Sequence, residues 1–215
     1  MQANQINLAI HVSMGVAGLV CGLVPLLTAK GGRVHRKSGR VFVILAGMVL
    51  GTALLADLVF PEPIALLAAS LSATYQYVSS LRTLALRTRA PSIIDTLLAC
   101  AALIGCVWLV RSMDAGTASW NPMIGYSTAA YVACIALYDL SRPWWASYWL
   151  RHVRPLDHGL KMTGCYFAML SAGAGNLLKH LQPWSQIVPS SLGVLVIAML
   201  LATDVRRQMR VASDL

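Results

Sequence analysis

The side chains in this chain that could bind a ligand or move a proton include five histidines and eight carboxylates. His11 lies inside the first long apolar run, and Gly15, Gly18 and Gly22 follow it at helical spacing. An ionisable side chain inside an apolar helix is costly and is therefore a candidate for function. The glycines leave room on that face either for a close neighbouring helix or for a flat ligand beside the imidazole. The pattern thus indicates helix packing or ligand binding at His11, and both interpretations stay open.

A second group of ionisable residues surrounds the gap between the fifth and sixth apolar runs. Its members are Asp139, Arg142, His152, Asp157, His158 and Lys161. A carboxylate just before a helix can accept backbone N–H groups, so Asp157 is predicted to cap the sixth helix. His158 begins a stripe at helical spacing that continues with Met162, Cys165, Met169 and Asn176. Such a stripe either packs against a neighbouring helix or ligates haem or copper.

Further candidates lie at the ends of the apolar runs. Asp57 ends the second run, and Asn176 and His180 end the sixth, so a pocket shared with His11 is one hypothesis. The predicted ligand-binding residues are His11, Gly15, Gly18, His35, Asp57, His158 and Asn176. The candidate metal ligands are His11, His158 and His180. Haem b is the candidate cofactor, and no catalytic residue is predicted.

The elements that carry these residues follow from composition. Of 215 residues, 57% are hydrophobic and 12% are charged, whereas a soluble domain has about 25% charged residues. The apolar residues form blocks of about 20, which is long enough to cross a bilayer. The blocks are 6–28, 41–60, 64–84, 92–111, 122–141, 159–178 and 187–205. The sequence therefore predicts an all-α membrane bundle of seven transmembrane helices in a single domain, 1–215.

The distribution of basic residues predicts the orientation of the bundle. If the basic stretch TAKGGRVHRKSGRVF at 28–42 is cytoplasmic, 15 of the 17 Lys and Arg residues fall on the cytoplasmic side. Cytoplasmic loops retain Lys and Arg. We therefore expect the N-terminus outside and the C-terminus in the cytoplasm. The basic residues that give the net charge of +9 lie beside apolar blocks. They therefore indicate contact with membrane lipid and no nucleic-acid partner.

Two short segments have their own predictions. The glycine pair at 31–32 suits a tight turn after the first helix. His35 would then lie against other helix ends, where Asp139 or Asp157 could accept its N–H. The segment PWWASYWLRH at 143–152 is predicted to lie at the membrane surface, with aromatic rings among the lipid headgroups.

Two motifs carry a resemblance to a known family. An apolar helix with a His, followed by KGGRVHRKSGRVFV, resembles the start of the bacterial membrane family called "domain of unknown function 2306". DHGLKMTGCYFAMLSAGAGN at 157–176 is similar to a later helix of that family, which opens with a His followed by Met. The resemblance covers the first 60 residues and the sixth helix. It implies a multi-pass protein of the bacterial inner membrane and special positions for His11, His35 and His158, but no established activity.

The residues leave one main functional hypothesis and two alternatives. The first is binding or passing a small ligand, ion or redox cofactor through a polar cavity that includes His11. The second is electron transfer by a b-type haem, which requires two imidazoles facing each other at one depth. The third is a metal-dependent membrane hydrolase, which requires several His and Asp residues at one depth. A retinal protein is not indicated, because the seventh run has no Lys for a Schiff base.

Overall fold

The computed structural model describes residues 2–59, 64–116 and 121–213, and all regular structure in those ranges is helical. The α-helices are α1 (Gln2–Leu27), α2 (Arg33–Val59), α3 (Ile64–Ala85), α4 (Ile93–Asp114), α5 (Pro122–Ser141), the single turn α6 (Ala146–Tyr148), α7 (Arg154–Leu177) and α8 (Trp184–Ser213). Short 3-10 turns at Arg142–Trp145 and Lys179–Leu181 and a π turn at Trp149–Val153 join them. The all-α prediction is confirmed. The predicted loop at 61–63 lies outside the described residues.

Several helices are long and apolar enough to cross a membrane. Among the described residues, the five segments that qualify by length and composition are Ala3–Leu27, Arg33–Val59, Ile93–Asp114, Pro122–Leu177 and Trp184–Arg206. The fourth of these segments contains both α5 and α7. Large apolar side chains such as Leu27, Leu58 and Ile104 are exposed on the outer faces of the helices. An apolar outer surface of this kind is typical of a multi-pass membrane protein.

Several helix ends differ from the prediction. The basic stretch was expected to be a loop as far as residue 40, but α2 begins at Arg33, so most of it forms two helical turns. The turn itself is at the predicted place, since Gly31 has φ +77° and the Gly32 N–H donates to the Ala29 carbonyl. The connection at 141–158 is also largely helical, and α7 begins at Arg154. Hydropathy marks the apolar part of a helix, and these helices continue into charged sequence.

Local signals explain where other helices begin. Asn121 precedes α5, its side-chain oxygen accepts the Met123 N–H at 3.0 Å, and Pro122 occupies the first helical position. Ser92 and Asp95 form a capping box at the start of α4. Both are standard helix N-termini, because they satisfy backbone N–H groups that have no intrahelical partner.

Two apolar clusters place α3 and α7 at the centre of the bundle. The first lies among α1, α2, α3 and α7 and consists of Phe42, Ala46, Val49, Leu50, Ala73, Cys165, Tyr166, Phe167 and Met169. The second lies among α3, α4 and α5 and consists of Ala68, Tyr75, Ala99, Ala102, Cys106, Leu109, Ala129, Val132 and Ala136. Helix α3 contributes to both clusters and also packs against α7. Its polar residues therefore face neighbouring helices.

Candidate functional site

Four buried charges meet where the ends of α5 and α7 pack against α3. They are Asp139, Arg142, Asp157 and Lys161, which we call the four-charge site. Their side chains are 1–3% exposed. Two carboxylates and two cations give the site zero net charge. Because an unpaired charge in such surroundings is very unfavourable, balance is a condition for burying all four.

Both oxygens of the Asp139 carboxylate have two partners. Its Oδ1 accepts from Lys161 Nζ and forms an ion pair with Arg142 Nε at 3.1 Å, while the Arg142 Nε–H donates to the Asp139 backbone carbonyl at 3.4 Å. Its Oδ2 accepts from Tyr75 Oη at 2.7 Å and from Ser79 Oγ at 2.6 Å. Four partners around one carboxylate hold its two oxygens in one orientation.

Asp157 is bound by the same two cations. Its Oδ1 forms an ion pair with Lys161 Nζ at 2.8 Å, and its Oδ2 accepts from Arg142 Nη1 at 3.3 Å. Trp149 Nε1 donates to Oδ2 at 3.1 Å, and the Arg142 guanidinium lies over the Trp149 ring. Thr83 Oγ1 is 3.3 Å from Oδ2. Asp157 is therefore part of the four-charge site and does not cap α7, whose N-cap is Val153, so the capping prediction was wrong.

The hydroxyls of the site come from one face of α3. Tyr75, Ser79 and Thr83 are each four residues apart, so they project from α3 in one row. Ser79 is 3% exposed and Thr83 is fully buried. This row supplies neutral donors to both carboxylates and so replaces the water that would solvate them at a surface.

A second polar layer lies further into the bundle on the same three helices. Gln76 of α3 is fully buried, donates to Ser72 and accepts from Tyr131 Oη of α5 at 2.9 Å. On α7, a Cβ at Gly164 would overlap Gln76 Oε1. The glycine thus leaves the space that the buried amide occupies. Gly164 is three residues after Lys161, so this layer lies about one helical turn from the four-charge site, towards the C-terminus of α7.

His11 is bound by the neighbouring helix. Its Nδ1 lies 3.0 Å from Thr52 Oγ1 and 3.2 Å from the Val49 carbonyl, both in α2. The Thr52 hydroxyl donates to carbonyls of its own helix, so its oxygen can accept the proton of His11 Nδ1. The contacts of His11 therefore favour the packing interpretation.

The glycines after His11 also contact protein. A Cβ at Gly15 would be 4.0 Å from Val49, and one at Gly18 would be 3.5 Å from Leu45. A Cβ at Gly22 would be 2.8 Å from the rings of Phe42 and Tyr166. This face of α1 is therefore filled by α2 and α7.

The other candidates predicted at the outer end of the bundle, Asn176, His180 and Asp57, do not form one site with His11. Asn176 is exposed and donates to the Ala172 carbonyl of its own helix. His180 lies in an exposed 3-10 turn. Asp57 is near His11 and Ser70, and its Oδ2 is buried without a partner among the described residues. Within residues 2–59, 64–116 and 121–213, no three His, Cys, Asp or Glu side chains group as ligands for a metal ion.

His35 lies at the basic end of the bundle, but its partner differs from the prediction. Its Nδ1 is 3.0 Å from the Pro25 carbonyl, in the last turn of α1. The prediction of a hydrogen bond from His35 to Asp139 or Asp157 is therefore wrong. Lys30 Nζ donates to the same carbonyl at 2.9 Å, and burial lowers the pKa of Lys30 below its ordinary value. A helix end has carbonyls without intrahelical partners, which explains why α1 attracts both side chains.

His158 contacts α3 beside the four-charge site. Its Nδ1 lies 2.7 Å from Ser80 Oγ, and that hydroxyl is also 3.0 Å from the His158 carbonyl. Ser80 directly follows Ser79, which binds Asp139. The structure thus places one predicted site residue, His158, next to the site and leaves His11 on the other side of the bundle, in α1.

Sequence reasoning found the charges near residues 139–161 but not their arrangement. The spacing of three residues between Asp139 and Arg142 and of four between Asp157 and Lys161 is visible in the sequence. The contacts between these two pairs, across α5 and α7, are not. The hydroxyl row of α3 was also missed. Its signal is the spacing of Tyr75, Ser79 and Thr83, which is polar on one face of an otherwise apolar helix.

Compared with protein-family models, with curated proteins and with solved structures, the chain matches none. The resemblance to "domain of unknown function 2306" therefore stays a prediction that rests on the two motifs.

Proposed function

We propose that this chain is a protein of the bacterial inner membrane that binds or passes a small ion through its polar interior. In this proposal the chain crosses the membrane seven times, with an external N-terminus and a cytoplasmic C-terminus. Five segments long and apolar enough to cross a membrane, found among the described residues, support the location. The concentration of Lys and Arg on one side supports the orientation. The polar interior proposed here is centred on the four-charge site, because all four of its charged side chains are only 1–3% exposed.

The observation that carries this proposal is the double bridging in the four-charge site. Arg142 and Lys161 each contact both Asp139 and Asp157. A proton or cation that arrives at one carboxylate can therefore be compensated by moving Lys161 or Arg142 towards the other. The two pairings have similar distances, so a change of charge on one carboxylate would shift both cations towards the other, and a shift of this kind is what ion passage requires. Intramembrane ionisable residues are commonly part of such pathways.

The experiment measures ion flux in proteoliposomes. The purified protein is reconstituted with a transmembrane gradient of one small ion at a time, and dye fluorescence reports dissipation. The test variant combines Asp139→Asn with Lys161→Gln, which removes one charge of each sign and leaves the site neutral. We expect the wild-type protein to dissipate a gradient and this variant to be slower by roughly a factor of 100, as when a positioned charge-transfer group is lost.

A matched control removes an ion pair elsewhere. Arg82 and Asp95 pair at 3.0 Å between α3 and α4, and Arg82 is 28% exposed. The double change Arg82→Gln with Asp95→Asn should leave the flux unchanged. Equal flux in the wild type and the four-charge variant, or no flux of any ion through the folded wild-type protein, would contradict the proposal.

A further inference from the structure

The first turns of α2 carry four exposed cations, Arg33, Arg36, Lys37 and Arg40. Because an α-helix repeats every 3.6 residues, spacings of three and four residues place these side chains on one side of the helix. We call this surface the basic stripe. Sequence reasoning placed the same residues in a loop, and they are aligned because α2 begins as early as Arg33.

The opposite side of α2 packs into the bundle. His35 Nδ1 lies 3.0 Å from the Pro25 carbonyl of α1. Further along that side, Phe42 is 2% exposed and Ala46 is fully buried. The basic stripe therefore faces away from the other helices.

The side of α2 that carries the basic stripe continues into apolar residues that remain exposed. Ile44 lies four residues after Arg40, and Met48 lies four residues after Ile44. These two side chains are 64% and 44% exposed. A rise of 1.5 Å per residue places Ile44 about 6 Å beyond Arg40 along the helix axis. Because an exposed apolar face of a membrane-spanning helix contacts acyl chains, the basic stripe lies beside it at the level of the lipid headgroups.

Within the described part of the chain, no carboxylate pairs with the basic stripe. The first acidic residue of the sequence is Asp57, near the other end of α2. The ion pairs among the described residues involve the cations Arg82, Arg142 and Lys161 only. Four cations within about 10 Å of helix therefore complement an anion that comes from outside the chain.

We propose that the basic stripe binds an anionic phospholipid. The planar guanidinium groups of its three arginines match the geometry of the headgroup phosphate, and Lys37 adds a compact positive charge. The acyl chains of the same lipid lie along Ile44 and Met48. A lipid fits better than a soluble anion, because sites for the phosphate and for the acyl chains adjoin on one helix face. The inference adds a partner and does not depend on ion passage through the four-charge site.

The experiment titrates the purified full-length protein in a mild detergent with phosphatidylglycerol or with phosphatidylcholine. Native mass spectrometry reports the fraction of the protein that holds each lipid, and we expect tighter binding of phosphatidylglycerol. The test variant combines Lys37→Gln with Arg40→Gln. Since one Lys or Arg beside an anionic lipid contributes about fivefold to the affinity, this variant should bind phosphatidylglycerol roughly 20-fold more weakly. Arg40→Gln alone should weaken the binding about fivefold.

The matched control combines Arg87→Gln with Arg89→Gln. Both arginines are exposed and lie in the connection between α3 and α4, so the control removes the same charge from another place. Its affinity for phosphatidylglycerol should equal that of the wild type. Thermal unfolding should be unchanged in both double variants, because all four side chains are exposed.

Inorganic phosphate separates a lipid from a soluble anion. Because the acyl chains add apolar contacts, millimolar phosphate should not displace bound phosphatidylglycerol. Displacement by phosphate would assign the basic stripe to a soluble anion and overturn the inference. An equal loss of affinity in both double variants, or equal binding of the two lipids by the wild type, would also overturn it. The proposed function is tested by ion flux and would stand in each of these cases.

Discussion

The substitution Asp139→Asn replaces one oxygen by an amide nitrogen in the most constrained part of the four-charge site. The native carboxylate accepts hydrogen bonds from Lys161, Tyr75 and Ser79 and forms an ion pair with Arg142. The amide side chain would keep one accepting oxygen and would turn its NH2 group, itself a donor, towards two of those donors. The substitution also leaves a buried net charge of one, because two cations then share a single carboxylate.

The expected cost follows from that geometry. Removing one partner of a buried ion pair costs about 3 to 5 kcal/mol, because the remaining charge stays buried. Asp139 has a side chain that is 1% exposed, so water does not reach the site to compensate. For a chain of this size, the loss corresponds to a fall in the unfolding temperature of roughly 10 °C.

Thermal unfolding of the purified protein in a mild detergent measures this effect. Asp95→Asn is the matched control, because Asp95 pairs with the partly exposed Arg82 and should lose only about 1 kcal/mol. The double change Asp139→Asn with Lys161→Gln restores neutrality and should be more stable than Asp139→Asn alone. If Asp139→Asn lowers the unfolding temperature no more than Asp95→Asn does, the reasoning about the buried charges is refuted.

Three further predictions concern the packing, His11 and the topology. Gly22→Leu should disrupt the bundle and change the size-exclusion profile, because a Cβ at that position would lie only 2.8 Å from the Phe42 ring. Gly51→Ala is the control and should leave the profile unchanged, because no described atom lies within 4 Å of the new Cβ. His11→Ala should lose its bond to Thr52 and about 1 kcal/mol of stability while keeping its ion flux, and a loss of flux from a folded variant would return the functional site to His11. Alkaline phosphatase fused after position 61 should be active and after position 38 inactive, and the reverse result would overturn the orientation.

Hydropathy predicted where the helices are because burial in lipid depends on side-chain composition, which the sequence states directly. The block at 122–141 coincides with α5, and the glycine stripe of α1 indeed faces another helix. The same method placed the start of α2 eight residues too late, at 41 and not at Arg33. Its first two turns are charged, and a helix that extends beyond the bilayer has no apolar signal there.

The site could be predicted only in part, because it depends on contacts between helices. That Asp139 and Asp157 lie at neighbouring helix ends follows from the order of the apolar blocks. That Arg142 and Lys161 bridge both carboxylates depends on how α5 and α7 pack, and no spacing within one helix contains that information. For the same reason, Asp157 was predicted to bind its own backbone when a cation from another helix was available.

The spacing of the four charges along the chain has a consequence for biosynthesis. Asp139 and Arg142 are three residues apart and pair at 3.1 Å, and Asp157 and Lys161 are four residues apart and pair at 2.8 Å. Each segment therefore carries its own counter-ion when it leaves the ribosome. A helix whose acid and base neutralise each other enters the bilayer at lower cost than one with a single charge. Partition into lipid can thus precede assembly, and the contacts between α5 and α7 form afterwards from two segments in each of which the buried acid already has a base.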